Sequence, residues 1–169
     1  MLYGVKMSQT NNYKYTGALV LGMHDALVEI SGIIAGLAFA FTDRKVIIMT
    51  AAIAAVAASL SMAAANFQAQ RAESNPDSLR AALYTGIMYV ITSAILILPF
   101  TVVPNRFWAL GVMAIFAVLI IFGFNCSIGR INKQPFIPRF FEMLAICIGV
   151  SVASFIIGMA AKYFMGITI

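Results

Sequence analysis

Residues 19–41 read "LVLGMHDALVEISGIIAGLAFAF", a stretch apolar enough to cross a bilayer that nevertheless carries His24, Asp25 and Glu29. A charged side chain in hydrocarbon costs several kcal/mol or must be neutralised, and such residues usually mark function. Working outward, the rest of the chain agrees with a membrane setting. Of the 169 residues, 62% are hydrophobic and 10% charged, and mean hydropathy is +0.96, which excludes an ordinary soluble domain. The segment ahead of residue 17 is polar or mixed. It holds no basic n-region followed by a short apolar core and a cleavage site, so the first span is expected to be kept.

Runs of about 20 residues or more, enough for roughly 30 Å of hydrocarbon, lie near 17–41, 46–70, 79–102, 106–129 and 139–166. Polar and Pro-containing breaks separate them: "TDRK" (42–45), "RAESNPDSLR" (71–80), "VVPNR" (102–106) and "GRINKQPFIPR" (129–139). No break is long enough for a soluble domain. The expected fold is an all-α integral membrane protein, with a cytoplasmic segment over 1–16 and a single five-helix transmembrane domain over 17–169. With the N-terminus inside, Lys6, Lys14, Arg71, Arg80, Arg130, Lys133 and Arg139 fall inside, against Arg44, Lys45, Arg106 and Lys162 outside. That asymmetry predicts an N-in, C-out orientation. The net charge of +5 is spread over the span ends, so it reports topology and no nucleic-acid partner. An odd helix count forbids two inverted halves within one chain, though two copies can still form such a repeat.

Cys126 and Cys147 stand apart, with no CxxC or His/Cys cluster, and read as small buried hydrophobes. The sequence holds no HExxH, ExxH, GxSxG or phosphate loop, and a single histidine cannot build a multi-His centre within one chain, so an enzyme is not expected. Asp25 and Glu29 are four apart and share a helix face. Two carboxylates a turn apart in a low dielectric do not both ionise easily. Counted from the inner ends, Asp25, Met62 and Met88 lie about eight or nine residues in, a common depth of roughly 12 Å. Asn66 sits one turn nearer the cytoplasm and Glu29 one turn deeper. The result is a candidate metal ladder of Asn66, then Asp25 with Met62 and Met88, then Glu29. Carboxylate with thioether favours transition metals over Mg²⁺ or Ca²⁺. Met62 and Met88 also fit as plain core or lipid-facing side chains.

Gly32 and Gly36 form a GxxxG on helix 1, and helix 2 is rich in Ala and Ser from Ala51 to Ala65. Small residues let backbones approach, so helices 1 and 2 are expected to pack against each other or against a second subunit. Glu142 opens helix 5, where it reads as an acid stabilised by the helix dipole or as an entrance ligand. Tyr89, Thr92 and Ser93 either line the pathway or bond neighbouring backbone, and His24 reads as a vestibule hydrogen-bonding group.

Three motifs carry a family resemblance. "LGMHDALVEISGIIAG" (21–36) resembles the L-G-x-x-D-[GA]-L-V-x-x-x-[GS]-x-x-A-G of the vacuolar iron transporter family. "AASLSMAAANF" (57–67) resembles its S-M-x-x-x-E-[YF], and "YTGIMYVITSAILILPF" (84–100) its helix 3 pattern ending in L-P-[YF]. "EMLAICIGVSVASFIIG" (142–158) is a looser fit. The resemblance is to the small prokaryotic members. It implies a homodimer packed through helix 1 that exports Fe²⁺, often Mn²⁺, from the cytosol in exchange for protons, with Asp25 and Met62 as pathway ligands and no cofactor. Two features depart from the pattern. Asn66 and Ala54 stand where the family's helix 2 carries acids, and the break after helix 2, with only Glu73 and Asp77, lacks the glutamate-rich metal-binding domain of longer members. Glu29 is expected to replace part of the lost charge. The alternative is a non-transporting assembly or metal-sensing protein that keeps the fold without the helix 2 acids. The compact chain leans toward a prokaryotic plasma membrane.

Overall fold

The computed structural model describes residues 15–132 and 136–165. Five helices account for them: α1 (Thr16–Ala40), α2 (Arg44–Ala72), α3 (Ser78–Val102), α4 (Arg106–Asn132) and α5 (Phe136–Met165). Each is long and apolar enough to cross a membrane, and no strand occurs among the described residues. The five expected spans are therefore present, with ends shifted by a few residues. Most of the expected 1–16 segment, with Lys6 and Lys14, lies outside the described residues, as do Lys133 and the last residue of the expected fifth span.

Local chemistry sets the helix ends. Asp43 caps α2 by accepting from the Lys45 amide at 2.8 Å, and Asn105 caps α4 by accepting from the Phe107 amide at 2.9 Å. Asn75 folds the α2–α3 turn: its Nδ2 donates to Gln70 Oε1 at 2.6 Å and its Oδ1 accepts from the Asp77 amide at 3.0 Å. Two arginines brace the opposite end. Arg44 Nη1 donates to Val103 O at 3.0 Å, and Arg106 Nη1 donates to Phe41 O at 2.6 Å. The start of α2 thereby holds the end of α3, and the start of α4 holds the end of α1, satisfying carbonyls a helix terminus leaves open.

α1 is the central helix, packed chiefly on α5 and α3. Leu27, Ile30 and Ile34 from α1 are fully buried with Ile47 of α2, Leu96 of α3 and Ile121 of α4. Large apolar residues face outward instead on the peripheral helices, among them Leu60, Trp108 and Ile157. Such a surface suits hydrocarbon and would be a liability in water. Since lipid tails are as apolar as leucine, contacts between these helices stabilise through close packing and hydrogen bonds.

Partner choice departs from the sequence expectation. α2 packs mainly on α3, not on α1, with Gly86 of α3 seated against Ala63 and Ser59 of α2. The GxxxG of α1 meets α5 of the same chain: a methyl group on Gly36 would come within 3.0 Å of Ser154 O, and one on Gly32 within 3.0 Å of the Val150 and Ser154 side chains. Gly158 of α5 completes the contact, facing the backbone of Gly36. Glycine on both sides of that crossing lets the two backbones touch, and the Ala/Ser stripe of α2 finds its equivalent on α3.

Candidate functional site

The three helices α1, α2 and α3 share a polar seam inside the span. At its α2–α3 end, Asn66 Nδ2 donates to Thr85 Oγ1 at 2.6 Å. That hydroxyl also lies 3.1 Å from Ala18 O and 3.1 Å from Ala81 O, so its single proton is shared between α1 and its own helix. Asn66 is 6% exposed and Thr85 fully buried. Beside them Gly22 faces the Thr85 backbone so closely that no side chain fits. This close approach of α1 to α3 places Gly22 level with Thr85.

Farther along the seam, the Tyr89 hydroxyl donates to Glu29 Oε2 at 2.7 Å. Tyr89 is fully buried, whereas Asp25 and Glu29 are half-buried on α1. Asp25 lies within electrostatic reach of Glu29 and His24, and Tyr89 within reach of both carboxylates. Met62 and Met88, also half-buried, pack against the apolar core. With the observed helix ends, Asp25, Met62 and Met88 each stand about nine or ten residues from the α2–α3 end, which keeps them at one depth. Glu142 is exposed near the start of α5.

The seam thus carries Asp25 and Glu29 on α1, Asn66 on α2, and Thr85 and Tyr89 on α3, with Thr85 bonded to Asn66 and Tyr89 to Glu29. Among the described residues no three His, Cys, Asp or Glu side chains form a cluster. Thr85 was not legible as part of the site from the sequence; its only signal is a hydroxyl in an apolar span, four residues before Tyr89.

A helical bundle with five membrane-length helices and paired carboxylates inside the first defines a polytopic membrane protein with a polar intramembrane site. The model of the VIT family matches residues 16–76, so this part of the chain is similar to the vacuolar iron transporters. That match covers α1 and α2, including Asp25, Glu29, Met62 and Asn66, and stops ahead of Met88 and Glu142. No curated protein matches the chain. A match to this family suggests metal-ion transport across a membrane.

Proposed function

We propose that the protein carries Fe²⁺ or Mn²⁺ out of the cytosol in exchange for protons, working as an N-in, C-out homodimer in a prokaryotic plasma membrane. The observation that carries this reading is the pair Asp25 and Glu29, half-buried within a membrane-length helix where unused acids are costly. Asp25 is the first carboxylate ligand, with Met62 and Met88 supplying thioethers at its depth. Glu29 is the second carboxylate ligand and Asn66 the amide at the inner end. Thioether with carboxylate suits a borderline ion over Mg²⁺ or Ca²⁺, while Glu142 can attract cations at the entrance. The dimer uses the strip of α1 that its neighbours leave partly open, Leu21, Asp25 and Val28, because the Gly32 and Gly36 face is filled by α5. A second copy over that strip would hide the carboxylates from lipid.

One observation favours a second reading. Asn66, where the family pattern has an acid, is buried and bonded to Thr85, so this position acts as a structural tie; the protein would then bind metal, or assemble, without moving ions. Flux of Fe²⁺ and Mn²⁺ into proteoliposomes containing a lumenal pH dye separates the two. Transport predicts metal entry with opposite proton movement, abolished in Asp25→Asn and raised in Asn66→Glu. Wild-type vesicles with no flux of either metal, and no gain in Asn66→Glu, would leave the second reading standing.

A further inference from the structure

Thr85, Thr92 and Ser93 are buried hydroxyl residues of α3, and one behaves differently. Thr85 and Ser93 point back to carbonyls of the preceding turn, Ala81 O at 3.1 Å and Tyr89 O at 2.8 Å, as Ser and Thr commonly do within helices. Thr92 makes no such bond. It is 1% exposed, and its Oγ1 has no hydrogen-bond partner among the described residues. A buried hydroxyl left unpaired is destabilising and calls for a reason.

Its position supplies one. α1 and α3 run in the same direction, since Ala18 meets Thr85 near their starts while arginines brace both of their C-terminal ends. Gly22 and Thr85 are level where the helices touch. Seven residues further along each helix, about two turns or 10 Å, stand Glu29 and Thr92. Both return to nearly the same facing sides, and the Tyr89 bond to Glu29 Oε2 shows independently that α3 addresses this carboxylate. By this register the unpaired hydroxyl stands at the height of Glu29, on the helix that bonds that carboxylate.

We propose that Thr92, Tyr89 and Glu29 form an all-oxygen pocket that receives a water of a partly hydrated divalent cation. The inference rests on the transport or binding of such a cation proposed above and adds two residues to its site. Tyr89 is a positioning residue: by donating to Oε2 it fixes the carboxylate and leaves Oε1 for the cation. Thr92 Oγ1 is the hydrogen-bond partner of the cation's water. One turn nearer the α2–α3 end the candidate donors include the sulfurs of Met62 and Met88, whereas Glu29, Tyr89 and Thr92 offer oxygen alone, the donor type suited to Mn²⁺.

The test is Mn²⁺ binding to the detergent-solubilised full chain, read from the electron paramagnetic resonance signal of free Mn²⁺, alongside thermal melting of each variant. Thr92→Val, which keeps the shape and deletes the hydroxyl, is expected to weaken Mn²⁺ binding about tenfold or more, as loss of outer-shell partners does at metal sites. Thr92→Ser should bind within about twofold of wild type, and Tyr89→Phe should weaken binding as loss of a group that orients a ligand does. A hydroxyl that is merely unpaired predicts the reverse: Thr92→Val melts higher and binds Mn²⁺ as wild type does. That result overturns the proposal, as does a Thr92→Ser variant impaired as much as Thr92→Val. Wild-type protein that binds no Mn²⁺ removes the cation reading and this pocket with it, while normal wild-type binding with an indifferent Thr92→Val removes the pocket alone.

Discussion

Asn66 and Thr85 show how a single polar pair can tie three membrane helices, since the amide of α2 reaches a hydroxyl of α3 that also touches Ala18 O of α1. Deleting that hydroxyl strands the Asn66 amide in a buried position. Thr85→Val is therefore expected to destabilise the protein by about 1 kcal/mol, at the upper part of what interhelical hydrogen bonds contribute in membranes, with Thr85→Ser near wild type. Thermal melting in detergent reads both. Residue chemistry was legible in part. Asp25 and Glu29 were visible because an acid in an apolar run has few cheap explanations. The bond from Asn66 to Thr85 was not, because an amide bonds equally well to an ion, to water or to a neighbouring hydroxyl, and only the fold brings that hydroxyl into reach.

Helix boundaries were readable for a simpler reason: span length is dictated by bilayer thickness, and the Pro-containing and charged breaks fall where the helices stop. Helix partners were not. A small-residue stripe announces a close approach without naming the surface that approaches, so the GxxxG of α1 fits α5 as well as it would have fitted α2. The contact makes an element-scale prediction. Gly36→Leu should force α1 from α5 and destabilise by about 1–3 kcal/mol, the usual cost of overpacking. Gly111→Ala and Gly123→Ala, whose added methyl groups meet nothing within 4 Å, should melt as wild type. Equal losses at all three positions would show that the α1–α5 crossing has no special role.

At the scale of the whole molecule, the proposed orientation puts the α2–α3 turn in the cytosol and the arginine-braced end outside. Single cysteines introduced at Glu73 and at Lys45, both exposed, in a chain with Cys126 and Cys147 replaced by Ala, test this in whole cells. A membrane-impermeant maleimide should label position 45 and spare position 73, and the opposite pattern reverses the topology. Arg106→Ala should loosen the braced end, raising amide exchange near Phe41 while leaving the α2–α3 turn unchanged. The two braces also divide the molecule mechanically. Each arginine joins the root of one helix to the tip of a different one, so four of the five helices are laced together at a single rim. With Asn66 and Thr85 knotting α1, α2 and α3 toward the opposite end, those three helices are fastened at both ends, like a sheaf bound twice.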